Sequence, residues 1–351
     1  MSLFEGRKIK VEIYGESHAE KIGVKVSGFP SFEFDPEALA KFTDRRKPSG
    51  DVFSTKRKEA DVPVFTGITH NRIGGAFSAE IYNTDRKSSD YGELYGKPRP
   101  SHADYARYLK DGALDFSGGG RFSGRMTAPL CVAGGIALQY LEKLNIKIAA
   151  YVSSIGSVCG KSYKDGEISA AEAEALRAGE FPSLDKKKEM LEEIRRAAAD
   201  CDSVGGRAEC IVSGLKGGVG DNLFGGLEGK IAYLIYAVPA VKGVEFGHGF
   251  SLSSMRGSEA NDGLYAKDGK VGFLSNRSGG INGGISNGGN ITVSIAFRPT
   301  PSIYQEQQTV DLVKKETVKI KIKGRHDSCI VPRALPCVES AVALALLDEI
   351  I

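Results

Sequence analysis

Hydrophobic and polar residues alternate with a period of two in several short segments of the chain. In the first of these segments, Ile9, Val11 and Ile13 fall on one face. The segments with this pattern are residues 8–14, 207–212, 291–297 and 318–322. Such alternation is typical of half-buried strands, so it predicts antiparallel sheets.

Other segments repeat their hydrophobic residues with a helical period. The predicted helices are residues 36–42, 127–144, 170–178, 183–199 and 336–350. Asp35 is predicted to cap the first helix with Pro36 in its first turn, and Ser169 with Glu172 forms a capping box for the third. Segment 127–144 is apolar on nearly all sides, so we expect it to be buried. Because helices and strands do not alternate regularly, an α+β fold is favoured over a doubly wound sheet.

Composition narrows the class of protein. Of 351 residues, 41% are hydrophobic and 26% are charged, which excludes a disordered chain or a coiled coil. The net charge of +3 is too small for a dedicated nucleic-acid binder. Glycine is the unusual residue, with 44 copies, or about one in eight against a usual ~7%. These glycines lie in clusters, so they need a local explanation.

The chain has no sequence feature of secretion or membrane insertion. Its first thirty residues carry charges throughout, and the apolar stretch 129–141 is shorter than the ~18 residues that span a bilayer. The 6 cysteines form no CxxC pair and no metal-binding spacing with histidine. We therefore expect a cytoplasmic protein with reduced thiols and no bound metal.

Three of the 5 histidines lie in polar, turn-forming segments beside a carboxylate or an arginine. They are His18, His102 and His326, and His102 is flanked by Arg99 and Asp104. Histidine both donates and accepts protons at neutral pH, so these residues are candidates for acid–base catalysis. A structural role stays open for each of them.

Two glycine-rich segments, 115–127 and 276–290, are candidates for ligand binding. Backbone without Cβ atoms can approach a ligand closely and present N–H groups to a phosphate or a flat ring. Neighbouring arginines would add bidentate contacts, although tight turns explain such glycines equally well. Neither P-loop spacing nor a GxGxxG motif is present, so a nucleotide-like cofactor would need another framework.

Segment 44–61 is rich in lysine and arginine. Its one aromatic residue, Phe53, is too little for a single-stranded nucleic-acid site. Two interpretations remain, a solvated basic loop or an electrostatic funnel for a small anionic substrate.

Nine segments together resemble the motifs of the chorismate synthase family. In chain order they are GESHAEKIG, DRRKPSG with STKRKEAD, NTDRKSSDY, RPSHADY, GGGRFSGRMTA, AVKGVEFGHGF, SGGINGGISNGG, RPTPSI and GRHDSCIVPRA. They cover the chain from Gly15 to its C-terminal region, and the resemblance implies a single domain over residues 1–351.

The resemblance implies an activity as well as a fold. Family members convert 5-enolpyruvylshikimate 3-phosphate to chorismate by anti 1,4-elimination of phosphate, in the shikimate pathway toward aromatic amino acids. The reaction requires reduced FMN without net redox change, and NADPH would act only through a separate flavin reductant. The family fold is an α+β sandwich of β-α-β type, two antiparallel sheets flanked by helices, in a homotetramer. The implied partner is the small substrate, with no nucleic acid and no membrane.

The resemblance also assigns residues. It places catalytic roles on His18, His102 and Asp327: one histidine keeps the reduced flavin correctly protonated, the other protonates the departing phosphate, and the aspartate assists in ring-proton transfer. The implied substrate-binding residues are Arg46, Arg99 and Arg125. The implied flavin contacts are Arg121, Phe122, Ser123, Ala240, Gly283, Arg298, Pro299, Thr300, Pro301, Ser302 and Arg325.

Several residues depart from the family motifs. Ala19 and Ser101 replace glycines beside the catalytic histidines, so we expect a changed local backbone. Met126 replaces a glutamate that would pair with Arg125, and Phe122 replaces a small hydroxyl residue. The other departures are Val52, Arg298 and Ser328.

Two other classes of function stay open from sequence. A flavin oxidoreductase would oxidise NADPH on its own. A binder of phosphate-rich ligands such as RNA would show a steep salt dependence.

Overall fold

Two antiparallel β-sheets, with helices packed between them, build the fold. The computed structural model describes residues 2–48, 60–83, 94–116, 118–165, 168–169, 172, 175–177, 179, 181–322, 324 and 326–351. The predicted α+β class, with mixed helices and antiparallel sheets, is confirmed.

The elements have the following bounds. The strands are β1 (Ser2–Glu5), β2 (Lys10–Gly15), β3 (Lys21–Ser27), β4 (Phe32–Glu33), β5 (Val64–Thr69), β6 (Arg72–Tyr82), β7 (Lys147–Ile155), β8 (Val158–Cys159), β9 (Gly206–Ser213), β10 (Val241–Phe246), β11 (Leu264–Lys267), β12 (Lys270–Phe273), β13 (Ile281–Asn282), β14 (Ile285–Ser286), β15 (Ile291–Phe297), β16 (Glu306–Asp311) and β17 (Glu316–Lys321). The helices are α1 (Pro36–Asp44), α2 (Asp104–Asp111), α3 (Thr127–Lys143), α4 (Lys187–Ala199), α5 (Leu227–Ile235), α6 (Gly257–Ala260) and α7 (Val331–Ile350).

The larger sheet has six strands in the order β1-β2-β3-β6-β4, with β5 also paired to β6. The second sheet has the order β10-β15-β9-β7-β8. Three two-stranded hairpins, β11-β12, β13-β14 and β16-β17, complete the strand pairing. All four segments with alternating hydrophobic residues contain strands, as predicted.

Helices α3 and α7 form the layer between the sheets. Helix α3 packs on β2, β3 and β6 of the first sheet and on β7 of the second, while α7 packs on α3, β7 and β9. Both helices are buried over most of their length, as expected from the all-round apolar pattern of segment 127–144. Their N-terminal ends lie at the candidate site described below.

Among the carboxylates of the buried helix α7, Glu339 has no exposed surface. It accepts hydrogen bonds from Arg45 Nη2 at 3.1 Å and from the backbone N–H of Ala150 at 2.8 Å. Burial alone would raise the pKa of Glu339, but the charges of Arg45 and Arg177 outweigh it and lower that pKa. This ion pair ties the end of α1 to the central helix layer.

The predicted helix caps are confirmed. Asp35 Oδ1 accepts from the backbone N–H groups of Glu37 at 2.8 Å and Ala38 at 3.2 Å. Ser169 Oγ accepts from the N–H of Glu172 at 3.2 Å, and Glu172 Oε2 accepts from the N–H of Ser169 at 2.9 Å. Most of the segment that follows this second cap lies outside the described residues.

Two predicted helix starts are wrong. Helix α7 begins at Val331 and contains Pro336, because burial of almost every side chain compensates for the backbone hydrogen bond that proline cannot donate. Helix α4 begins at Lys187 rather than at residue 183, because Lys186 has a φ of 48°, which a right-handed helix cannot continue.

Three further findings concern the cysteines, membrane-spanning helices and metal-binding clusters. All six cysteines are free thiols. In the part of the chain that the structure describes, no helix has the length and apolar character needed to cross a bilayer. The same part contains no cluster of three or more His, Cys, Asp or Glu side chains that could hold a metal ion.

Helices α3 and α7 are in close contact at Gly134. A Cβ atom at this position would lie 2.4 Å from Ser340 Cα and 2.1 Å from Ser340 Cβ. Gly229 in α5 offers a comparison, since its Cβ position has no described heavy atom within 4 Å. The closeness of the two central helices therefore depends on glycine at position 134.

We expect Gly134→Ala to lower the free energy of unfolding by about 1–3 kcal/mol, because the added methyl group forces the two helices apart. The control, Gly229→Ala, should leave that free energy unchanged or raise it by up to about 1 kcal/mol. Urea unfolding of both variants measures the difference. Equal effects of the two substitutions would contradict the close approach at Gly134.

Candidate active site

A cavity of about 290 Å³ lies where α3 and α7 begin. Among the residues of its wall are Arg46, Ser123, Arg125, Thr300 and Asp327. These five come from four distant parts of the sequence, and each is a sequence-predicted site residue. The cavity is therefore the centre of the candidate site.

Two arginines of this wall share one carboxylate. Arg46 Nη2 and Arg125 Nη1 each donate a short hydrogen bond to Asp61, one to each carboxylate oxygen. The side chains are only 7%, 5% and 3% exposed for Arg46, Arg125 and Asp61. Burial alone would raise the pKa of Asp61, but the charges of Arg46 and Arg125 outweigh it, so the pKa is lowered. The three groups form a buried cluster with a net positive charge.

Arg125 is held from two further sides. Its Nε donates to Asn83 Oδ1 at 2.9 Å, and its backbone N–H donates to Ser123 Oγ at 3.2 Å. The sequence prediction was that Met126 removes the usual partner of Arg125. The structure gives Arg125 two partners, Asp61 and Asn83, so its guanidinium group is fixed without a glutamate at position 126.

The same asparagine reaches the loop of His18. Asn83 Nδ2 donates to the carbonyl of Ala19 at 2.8 Å. On its other side His18 packs on Gly118, where a Cβ atom would lie 2.3 Å from His18 Nε2. Gly118 also has a φ of 96°, so glycine is required there twice over. The first glycine of the GGG triplet therefore accommodates a histidine ring.

Arg99 and His102 lie in a second recess, of about 620 Å³. Arg99 donates to both oxygens of Asp104, from Nε at 2.7 Å and from Nη2 at 2.9 Å. Arg99 Nη2 also donates to the carbonyl of Gly118 at 3.1 Å, which connects this recess to His18. His102 Nε2 lies 2.7 Å from Ser302 Oγ, and its Nδ1 lies 3.0 Å from the carbonyl oxygen of Pro100.

His102 is neutral at pH 7 in the field of its neighbours. Burial, and then the charge of Arg99, lower the pKa of His102 to about 4. The Pro100 carbonyl and the Asp104 carboxylate act in the opposite direction but are weaker. Protonation of His102 at neutral pH therefore requires added negative charge nearby.

Asp327 is oriented by Arg333 at the start of α7. Arg333 Nη1 lies 2.7 Å from each carboxylate oxygen of Asp327. Arg333 Nε donates to the carbonyl of Arg46 at 3.0 Å. The predicted catalytic carboxylate is thus connected to the backbone of a predicted substrate arginine.

The predicted flavin contacts fall into two groups near the cavity. Arg121 and Phe122 are partly exposed, with the guanidinium group 5.1 Å from the ring centroid of Phe122. Arg298 donates its backbone N–H to Ala240 at 3.0 Å and its Nη1 to the carbonyl of Ser101 at 2.8 Å. Pro299, Thr300, Pro301 and Ser302 follow Arg298 directly.

Gly283 and Arg325 are the remaining predicted contacts. Gly283 lies in the turn between β13 and β14, and its Cβ position has no described heavy atom within 4 Å. Close backbone packing explains why glycine occupies two nearby positions. Cβ atoms at Gly280 and Gly284 would lie 2.4 Å from Asn290 O and 2.2 Å from Asp221 O. Arg325 lies outside the described residues.

A family model described as chorismate synthase matches residues 9–351 of the chain. The chain belongs to the chorismate synthase family. The chorismate synthase of Thermococcus kodakarensis is 42% identical over 350 residues, which are 99% of this chain and 97% of that protein. The chorismate synthase of Archaeoglobus fulgidus is 41% identical and covers 98% of this chain and 95% of its own length.

Comparison with solved structures agrees with the fold. A crystal structure of a chorismate synthase superimposes with a TM-score of 0.77 at 24% identity, over 98% of this chain and 92% of that chain. At this identity the likeness supports a common fold. The enzyme class of the family is that of carbon–oxygen lyases.

Sequence reasoning missed three residues of the site, Asp61, Asn83 and Arg333. All three stand inside segments that resemble chorismate synthase motifs, STKRKEAD, NTDRKSSDY and GRHDSCIVPRA. Each of the three is a charged or amide residue within a motif to which no role was assigned, and this was the signal that could have identified them. Their partners could not be known because each contact joins distant parts of the chain.

Ser101, which replaces a glycine in this member of the chorismate synthase family, keeps a glycine-like backbone. Its φ is 61°, in the left-handed region that favours glycine. Ala19, the other replaced glycine, is not among the described residues with positive φ. Glycine would adopt this backbone without strain, whereas Ser101 carries left-handed strain beside His102.

We expect Ser101→Gly to raise the free energy of unfolding by about 0.5–1 kcal/mol, because relief of left-handed strain exceeds the added backbone entropy of the unfolded chain. The Ser101 carbonyl that accepts from Arg298 is retained. Thermal unfolding of the two proteins gives the comparison. A lower unfolding temperature for Ser101→Gly would show that its hydroxyl group matters more than its backbone strain.

Proposed function

We propose that the chain is a chorismate synthase that converts 5-enolpyruvylshikimate 3-phosphate to chorismate. The reaction is an anti 1,4-elimination of phosphate that requires reduced FMN without net redox change. The observation that carries this proposal is the cavity whose wall includes Arg46, Arg125 and Asp327, in a chain of this family. The proposal agrees with the lyase class of the relatives.

The charges of the site suit the proposed substrate, which carries a phosphate and two carboxylates. Guanidinium groups bind such anions through paired N–H donors of fixed geometry. Arg46 and Arg125 lie in the cavity wall and Arg99 in the second recess. We assign substrate binding to these three residues.

The residues near the cavity fit a flavin by their chemistry. Thr300 Oγ1 is buried and has no hydrogen-bond partner among the described residues, so it is available to a ring heteroatom. The ring of Phe122 is 47% exposed, which suits stacking, and the guanidinium groups of Arg121 and Arg298 suit a phosphate. The chemistry expected of a reduced flavin here is a transient supply of electron density and uptake of the ring proton.

The chain's own residues supply the proton transfers. A departing phosphate needs a proton or a cation, and the two histidines are the groups proposed to serve the phosphate and the flavin. His102 is held by Ser302 and by the Pro100 carbonyl, so its ring orientation is fixed. Arg333 fixes Asp327 in the same way for its assisting role.

Other properties of the family complete the proposal. We propose a single domain over residues 1–351, with the helix layer between two sheets corresponding to the β-α-β sandwich of the family. We further propose a cytoplasmic homotetramer that obtains reduced FMN from a separate NADPH-dependent reductant. These assignments follow from membership of the family, whose relatives match nearly the whole chain.

Phosphate release from 5-enolpyruvylshikimate 3-phosphate under anaerobic conditions tests the proposed function. We expect release only when FMN is reduced. Equal turnover with oxidised FMN, or none with reduced FMN, would overturn the proposal. Steady oxidation of NADPH by the protein alone would instead favour a flavin oxidoreductase.

His18→Ala and His102→Ala should each lower kcat more than tenfold, because positioned proton transfer contributes about 10²–10⁴ in rate. Flavin affinity, measured by fluorescence quenching, should change little. His70→Asn is a matched control, since His70 is exposed in a turn with a φ of 48° that asparagine adopts readily. Loss of turnover in the control, or full turnover in either alanine variant, would contradict the assigned roles.

A further inference from the structure

Asp61 occupies the place where the two cavity arginines meet. One carboxylate oxygen accepts from Arg46 and the other from Arg125. The Asp61 side chain is 3% exposed yet belongs to the cavity wall. A carboxylate of the chain itself thus already uses N–H donors of both guanidinium groups.

The charges of the wall show what this contact does. The ionisable residues of the cavity wall include Arg46, Arg125 and Arg333 against Asp61 and Asp327. Arg333 is paired with Asp327, so the remaining positive charge belongs to the pair that Asp61 joins. An anion that binds both Arg46 and Arg125 must therefore compete with the Asp61 carboxylate.

We propose that Asp61 is a specificity-determining residue, an internal carboxylate that restricts the arginine pair to dianionic phosphate groups. A monoanion such as acetate gains no more from the two guanidinium groups than Asp61 already does. A phosphate dianion brings twice the charge and additional acceptor oxygens, so it displaces the aspartate from the two arginines. The inference rests on the proposed role of Arg46 and Arg125 in substrate binding.

A purely structural ion pair is the competing explanation. The chain provides such a contact for comparison at Glu339, which is fully buried and pairs with Arg45 and Arg177. Neither Arg45 nor Glu339 is among the described residues of the cavity wall. Removal of the carboxylate should thus create an anion site at Asp61 but not at Glu339.

The test compares Asp61→Asn with Glu339→Gln and the wild-type chain. Asparagine keeps the shape of the side chain and tolerates the φ of 50° at position 61. Both variants should unfold at a lower temperature than wild type in chloride buffer, because each leaves buried arginine without a full counter-charge. Inorganic phosphate at equal ionic strength should restore Asp61→Asn and leave Glu339→Gln unchanged.

Calorimetric titration gives the affinities without turnover or flavin, so the result is independent of the activity test. We expect inorganic phosphate to bind Asp61→Asn at least about tenfold more tightly than wild type. Acetate should bind Asp61→Asn but not wild type. Equal phosphate affinity in the two proteins, or equal rescue of both variants, would overturn the proposal.

Failure of Asp61→Asn to fold would not leave the question open. The variant would then be refolded from urea with and without inorganic phosphate. Recovery only in the presence of phosphate supports an anion site that Asp61 normally fills. No recovery in either buffer would contradict the proposal and show that Asp61 is a structural residue.

Discussion

The organisation of the site depends on one electrostatic constraint, that two buried guanidinium groups need a counter-charge. Asp61 supplies this counter-charge to both Arg46 and Arg125. Each of the two arginines also contacts a further part of the site. Arg125 is joined through Asn83 to the loop of His18. The carbonyl of Arg46 holds Arg333, which orients Asp327. Groups that the sequence keeps far apart are thereby connected in one polar network.

This network stands on the closely packed helix layer. Helices α3 and α7 pack side by side between two sheets, and their first turns contribute residues to the cavity wall. Two adjacent arginines of segment 44–61 contact different parts of the fold. Arg45 pairs with the buried Glu339 of α7, and Arg46 lies in the cavity wall. Packing of the helix layer therefore also fixes the position of the anion-binding groups.

The sequence predicted those features that depend on local pattern or on a complete motif. Alternation located four of the strands, β2, β9, β15 and β17, and the capping residues Asp35 and Ser169 were identified correctly. The start of α7 was not, because tertiary burial outweighs the usual effect of Pro336. Family motifs named Arg46, Arg125 and Asp327, which the fold brings into one cavity. Asp61 was not identified, because a carboxylate in a basic segment reveals its partners only in three dimensions.

The proposed role of Asp61 is to occupy the position of an incoming phosphate between Arg46 and Arg125. A crystal structure of the Asp61→Asn variant with inorganic phosphate tests this role most directly. We expect phosphate oxygens within hydrogen-bond distance of both guanidinium groups, at the place of the lost carboxylate. Phosphate bound elsewhere, with Arg46 and Arg125 turned away from each other, would contradict it.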